Sequence, residues 1–445
     1  NSNHSGSQPC DSVDLGFRCY PKLTHFWGQY SPYFSIPSEI ATDMPDQCHI
    51  TFAQMLSRHG ARDPSSRSTI KYRRLIDKIH SNATSYSDSF AFVKDFNYKL
   101  GADQLSQFGE QQMVNSGIKF YNRYSTSVGQ AIPFIRSSGQ TRVIASAVNW
   151  TQGFHKARMQ DLTSKSVSES PYKIIIISEE SGSNNTLDHG LCTEFEEGSV
   201  SKIGHSAMKA WASIFAPNIT KRLNSNIPGV NFTVKETIYM MDLCPFETVA
   251  DKQGKLSPFC FLFSEKEWQA YDYFQSLGKY YGYSSGNPLG PTQGVGFVNE
   301  LIARMTNSPV NDHTTTNSTL DSDPSTFPVS RDTTLFADFS HDNTMTSIFA
   351  ALGLYNSTAM LKNTTLVDAH NSDGYSASWT VPFAARAYFE KMICPGIDEE
   401  LVRIIVNDRV IPLSTCGADN LGRCKLSSFV KSLTFARNGG SWDQC

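Results

Sequence analysis

Apolar residues recur along this chain in two rhythms, and the change from one to the other marks out its elements. Residues 50–57 (ITFAQMLS), 132–139 (IPFIRSSG) and 334–340 (TLFADFS) are short, mainly apolar, β-tolerant runs, closed by Gly, Pro or polar residues, and each predicts a strand. KIIIIS, residues 173–178, is an unbroken apolar run, the pattern of a strand buried on both faces. Between these runs the period lengthens to that of a helix. In residues 71–82, KYRRLIDKIHSN, Tyr72, Leu75, Ile76 and Ile79 share one face, while Lys71, Arg74 and Lys78 share the other. Residues 109–128 and 140–159 read as further amphipathic helices, and from 197 to 304 the pattern is almost wholly helical. There EWQAYDYFQSLGKYYGY carries an aromatic stripe that predicts core packing rather than a cofactor site. Strands resume at 334–340, 380–393 and 401–413, and LSSFVKSLTFAR closes the chain as a helix.

Alternating strands and helices predict an α/β protein, a mixed central sheet flanked by helices, with a second, mainly α-helical domain formed by insertions. The division is discontinuous. Residues 1–65, 131–191 and 306–445 form the catalytic α/β domain, and 66–130 and 192–305 the helical insertions. The site is expected in the crevice between them, at the strands' carboxyl ends, where open α/β sheets bind ligands. Residues 307–330, rich in Asn, Thr, Ser, Asp and Pro, predict an exposed loop.

At 445 residues the chain is long enough for two or three domains and a large core. Its formal charge of −3 suggests neither a nucleic acid nor an anionic membrane as partner, so any affinity for anions must be local. No apolar run approaches the ~20 residues of a membrane span. The polar start NSNHSGSQPC does not read as a signal peptide, and the chain is expected to be a mature form. Ten cysteines, an even number, accompany nine Asn-x-Ser/Thr triplets at Asn3, Asn82, Asn149, Asn184, Asn218, Asn231, Asn317, Asn356 and Asn363. Together they predict a secreted, disulfide-bonded glycoprotein. No zinc-type CxxC spacing occurs. Sequence alone leaves the pairing open, but proximity suggests Cys10 with Cys19, Cys244 with Cys260 and Cys416 with Cys424.

The chemistry concentrates in two stretches, LSRHGARDPSS at 56–66 and FSHDNT at 339–344, each following a predicted strand. Arg58 and Arg62 offer planar guanidinium forks that match the oxygens of a phosphate. Gly60 is expected to let the backbone approach a ligand. His341 and Asp342 end the second strand, and Asn343 opens a helix whose amides favour an anion. A histidine among arginines and a His-Asp pair are the minimum set for passing a phosphoryl group through a phosphohistidine, with no metal or cofactor called for. His59 must be neutral to attack phosphorus, and Arg58, Arg62 and a protonated His341 favour that form even in acid. The same cations stabilise the transition state, and Asp342, carrying a proton, protonates the leaving oxygen, which predicts an acid optimum. Lys71, Arg74 and Lys78 form either a solvated helix face or a cationic rim extended by Lys94 and Lys99.

RHGARDP with the later HDN resembles the histidine acid phosphatase family. SGSNNTLDHGLCTEFEE, NPLGPTQGVGFVNELIAR and LVRIIVNDRVIPL resemble the fungal phytases within it, over nearly the whole chain. The resemblance implies a phosphoglycerate-mutase-like α/β-plus-α fold and a metal-independent phosphomonoesterase acting on phytate from the 3-position. It makes Arg142, in SSGQTRVIAS, a third phosphate-holding arginine, and Gln29, Tyr30, Ser65 and Lys279 substrate contacts. It also pairs Cys48 with Cys394 and Cys192 with Cys445. One departure is Asp63, where fungal phytases carry an aromatic residue; a carboxylate there is expected to face solvent, or else to weaken the local positive potential. A broad acid phosphatase of the same chemistry and a non-catalytic anion-binding glycoprotein are the alternatives, and intact His59 and Asp342 argue against the second. Disulfides and glycans argue against a cytosolic mutase. A metal-dependent HD-type phosphohydrolase finds no further His/Asp ligands at suitable spacing.

Overall fold

The computed structural model describes residues 10–127, 131–164 and 170–445. Its centre is a mixed sheet in the order β3-β2-β4-β1-β5-β6-β7. The strands are β1 (His49–Arg58), β2 (Phe134–Ser138), β3 (Ile174–Ile177), β4 (Leu335–Ser340), β5 (Arg386–Ile393), β6 (Leu401–Val406), β7 (Arg409–Ile411) and β8 (Cys424–Lys425), the last pairing with β6. β3, β2, β4 and β1 run parallel, and β5, β6 and β7 follow antiparallel.

The alternation within β1 decides the two layers around it. Ala53 and Met55 face one side, where α2 (Gln107–Tyr124) and α3 (Thr141–Gln160) pack through Phe120, Tyr124, Trp150 and Phe154. Phe52 and Leu56 face the other, covered by α7 (Val295–Thr306) and α8 (Asp342–Ala351). α2 and α3 touch closely because Gly117 and Gly153 lack side chains; a Cβ on either would lie 2.0 or 1.9 Å from the facing backbone carbonyl. A separate helical core joins α1 (Ser66–Asn82), the C-terminal half of α4 (Ile203–Asn226), α5 (Val234–Ala250) and the start of α6 (Glu265–Tyr283). The aromatic stripe on α6 is core, with Trp268, Tyr271, Tyr273 and Tyr280 all buried.

Several expected features come out differently. KIIIIS forms an edge strand with Ile176 54% exposed, because β2 is its single neighbour in the sheet. Residues 401–413 are a hairpin rather than one strand, turning at Asn407 and Asp408, whose φ values of 48° and 68° suit a tight β-turn. The final helix breaks at Leu433 into α9 (Leu426–Ser432) and a last turn, Thr434–Arg437. Residues 107–124 and 295–305, within the stretches the sequence reading gives to the helical insertions, pack on the sheet. The 307–330 segment is only partly exposed, since Thr314, Thr315 and Phe327 are buried.

Beneath that segment lies a closed charge network. Arg136 on β2 donates to Asp338 on β4 (Nε to Oδ1, 2.8 Å) and to Glu300 (2.7 Å), while Arg304 donates to Asp338 (2.8 Å), as does Gln54 (2.9 Å). Arg304 also lies 4.6 Å from the Phe327 ring and 4.5 Å from that of Phe336.

All five disulfides suggested by the sequence and the resemblance are present. Cys48–Cys394 staples β1 to β5 across 346 residues and Cys192–Cys445 ties down the C-terminus across 253. Loops of that length stabilise by roughly 5.5 to 6 kcal/mol in the chain-entropy model. Asn3 lies outside the described residues, and none of the other sequon asparagines is buried. Among the described residues no helix is long and apolar enough to cross a membrane.

Candidate active site

Parallel pairing of β1 with β4 sets Arg58 beside Ser340, so the residues that follow, His59 and His341, leave the sheet together. The His59 amide donates to the Ser340 carbonyl at 3.2 Å, and the two imidazole rings lie 5.8 Å apart, edge to face. Arg58 is wholly buried. Its Nη1 donates to the carbonyls of Gln29 and Val381, its guanidinium sits 4.5 Å over the Phe383 ring, and its Nη2 lies 3.5 Å from Asp342 Oδ2. Burial brings its pKa down to about 10, with Arg62 and Arg142 adding to the effect against the pull of Asp342.

The His59 ring is oriented by its own neighbour, for Nδ1 lies 2.8 Å from the Gly60 carbonyl. A carbonyl only accepts, so Nδ1 carries the hydrogen and Nε2 keeps its lone pair. Burial, then Arg58, Arg62, Arg142 and His341, hold the imidazolium form well below the usual histidine range. The ring is therefore neutral in acid, as the charge argument expects. Gly60 serves a purpose other than the expected one. A Cβ there would meet the Gly109 carbonyl at 2.4 Å, so the glycine admits helix α2 rather than a ligand.

Arg62 donates from Nη1 to the Asp63 carbonyl at 2.8 Å, and Arg142, in the first turn of α3, lies 3.7 Å from Asp103 Oδ1. The Nε atoms of Arg58, Arg62 and Arg142 are buried and have no protein acceptor. Burial and the charge of Arg62 lower the pKa of Arg142. Like charges thus crowd one crevice without enough carboxylates to neutralise them.

Asp342 opens α8 and is reached from the helical side of the crevice by Lys279 on α6, whose Nζ lies 2.6 Å from Oδ2 and 2.5 Å from Asn343 Oδ1. Burial pushes the Asp342 pKa up, but Arg58 and Lys279 outweigh it and hold the carboxyl well below the usual range. In the free site Asp342 is a carboxylate, whereas protonating a leaving group calls for its acid form. His341 points Nε2 at Glu179 Oε1, 2.8 Å away.

The outer residues divide. Gln29 is buried, its side-chain amide donating to Gln275 Oε1 at 2.8 Å while its carbonyl serves Arg58. Tyr30 packs 4.7 Å from Phe246 and 6.1 Å from Phe383; burial, with Asp242 beside it, raises its pKa to about 12. Ser65 caps α1, accepting from the Ser68 amide and donating to Ser68 Oγ at 3.0 Å. Lys71, Arg74, Lys94 and Lys99 are exposed, but Lys78 is taken out of any rim by Glu236 at 2.8 Å. Asp63 does not simply face solvent. It is half-buried against Gly101, burial raises its pKa, and it in turn helps burial lift Glu247 to about 7.

Sequence reasoning missed Glu179, Asp103, Gln275 and the Val381 carbonyl. Glu179 had a signal, since it stands just past a predicted parallel strand, at the same end of the sheet as both histidines. The others come from loops and helices whose proximity no spacing announces.

Residues 49–407 match the model of the histidine phosphatase superfamily (branch 2). The chain is 53% identical to Phytase A of Aspergillus oryzae over 442 residues, covering 98% of this chain and 94% of that protein. It is also 53% identical to Phytase A of Aspergillus fumigatus over 447 residues, covering 99% and 94%. Among solved structures it is similar to the phytase from D. castellii, with TM-score 0.78 at 23% identity over 95% of this chain and 87% of that one. The Bifidobacterium longum multiple inositol polyphosphate phosphatase, crystallised with inositol hexasulfate, shares the fold at 14% identity, TM-score 0.66, covering 93% and 98%. The chain belongs to the histidine phosphatase superfamily, branch 2.

Proposed function

We propose that this protein is a secreted phosphomonoesterase that hydrolyses phytate to lower inositol phosphates and inorganic phosphate. The observation that carries this reading is the state of His59, buried among cations with Nδ1 tied to the Gly60 carbonyl and Nε2 free to attack. Arg58, Arg62 and Arg142 hold the oxygens of the scissile phosphate through N–H groups that have no protein acceptor. Nε2 forms the bond to phosphorus as the bond to the leaving oxygen breaks. Asp342 supplies that oxygen with a proton, because a bound phosphate engages the cations that otherwise keep the carboxyl ionised, and burial then favours its acid form. Water, with Asp342 now as base, releases phosphate from His59 and restores the free ring. Lys279, paired with Asp342 in the free site, is freed to meet further phosphates of the substrate. The identity of about one half to the Aspergillus Phytase A proteins supports phytate as the substrate, and the five disulfides support secretion.

A broad acid phosphatase is the second reading, favoured by the acidic Asp63 near Arg62, with Glu247 beside Asp63. Phosphate release from phytate and from p-nitrophenyl phosphate, side by side at about pH 5 in excess chelator, tests the proposal. Strong release from phytate supports it. Release from the aryl ester alone replaces it with the second reading, and loss of all activity to chelator overturns the metal-free mechanism.

A further inference from the structure

Glu179 stands two residues beyond Ile177, the last paired residue of β3, and takes no direct part in the chemistry above, yet three elements of the site meet on it. Its Oε1 accepts from His341 Nε2 at 2.8 Å, from Ser138 Oγ at the end of β2, and from the Gln140 amide at 3.3 Å. Gln140 is the N-cap of α3, the helix whose first turn carries Arg142. The other oxygen, Oε2, is buried without a partner. We propose that Glu179 is a positioning residue that fixes the His341 ring and keeps both of its nitrogens protonated, so that His341 meets the substrate phosphate as a cationic donor. This rests on the phosphomonoesterase reading and extends it to a residue that reaches the phosphate only through others.

A carboxylate has no hydrogen to give, so the bond to Glu179 requires a hydrogen on Nε2. A neutral ring would then present Nδ1 as a bare lone pair, and a lone pair facing a phosphate oxygen repels it. Only the imidazolium satisfies Glu179 and donates to an anion at once. The groups around His341 do not otherwise favour that charge. His59 is neutral, and Arg142 adds positive charge from α3. Asp188, whose donor atom lies within 4.8 Å of those of Glu179 and His341, has its carboxyl pushed up by burial and by Glu179. Glu179 is held below its usual range despite burial, by His341, Ser138 and the Gln140 amide, so it is the ionised member of the carboxyl pair.

A neutral amide in place of the Glu179 carboxylate can donate as well as accept, so it no longer requires a hydrogen on His341 Nε2. Glu179→Gln keeps shape and an acceptor oxygen while removing charge. In this variant KM for phytate and the inhibition constant for inorganic phosphate should both rise roughly tenfold while kcat changes little, the loss of one charge-assisted hydrogen bond to the phosphate. Glu179→Asp should recover part of the loss. A kcat defect with unchanged KM and phosphate inhibition, or no recovery in Glu179→Asp, would overturn the proposal and leave Glu179 a packing residue. Failure of the wild-type enzyme to release phosphate at pH 4 would instead remove the underlying reading.

Discussion

Two arginine clusters lie along the same sheet, one among its strands and one at their carboxyl ends, and their charges are balanced differently. Arg136 and Arg304 meet Asp338 and Glu300 between β2, β4 and α7, where the carboxylates match the guanidinium charges and aromatic faces cover the rest. Arg58, Arg62 and Arg142, at and beyond the strand ends, share the carboxylates of Asp342 and Asp103 with Lys279, so that four cations face two carboxylates. Electrostatics shows the difference. Asp338 and Asp342 are both held down by cations against burial, and burial brings Arg304 and Arg58 alike to about 10, but the site also holds a histidine, His59, which burial and the surrounding cations push well below its range. A balanced network locks the sheet, whereas an unbalanced one keeps binding energy for an anion. Composition alone makes the two look alike; the count of partners separates them.

Replacing a member of each cluster puts that contrast to the test. His59→Ala should cost the most, lowering kcat by about 10⁴-fold or more with fold and melting temperature retained, because no other side chain can take the phosphoryl group. Activity assays beside thermal denaturation would show it, and appreciable residual turnover would point to a different nucleophile. Asp338→Ala should do the reverse. It strands two buried guanidinium groups and should destabilise by about 3 to 5 kcal/mol in denaturant titrations, with KM nearly unchanged in the folded fraction. If it altered KM instead, the two clusters would not be independent. Asp342→Asn should slow alkyl phosphates such as phytate by about a hundredfold or more while sparing p-nitrophenyl phosphate, whose leaving group needs little protonation. Equal loss on both substrates would argue for a binding role. Asp63→Tyr should have the smallest effect. Asp63, near Arg62, and Glu247, near Asp63, both have raised pKa values, and both ionise as pH rises and add negative charge to this side of the site. Removing one should lower the phytate KM above pH 5 by roughly threefold, the size of one screened charge contact, and change little at lower pH. An unchanged pH dependence of KM would sink this idea.

Much of the site was legible because its residues are local to strand ends. RHGARDP and FSHDN each follow a run whose pattern predicts a strand, and a strand end in a parallel sheet is already an address for ligands. Lys279 and Arg142 were legible only through resemblance, since one hides in an aromatic helix and the other in an ordinary helical turn. The edge position of KIIIIS and the packing of 107–124 on the sheet were not legible. Apolarity says that a residue wants burial, but not which neighbour supplies it.

The sequence by itself determined the elements, the α/β class, the two reactive stretches and, through cysteine proximity, the short disulfides, because each depends on contacts within a few residues. Only the tertiary structure decided that β1 and β4 lie side by side, so that His59 and His341 face one crevice, that Lys279 reaches Asp342 from a separate helix, and that Glu179 holds His341. It also decided that Asp342 is ionised in the free site and that Gly60 makes room for a helix. The reason is that charge state and close approach depend on every group within a few ångströms, and most of those groups lie hundreds of residues away along the chain.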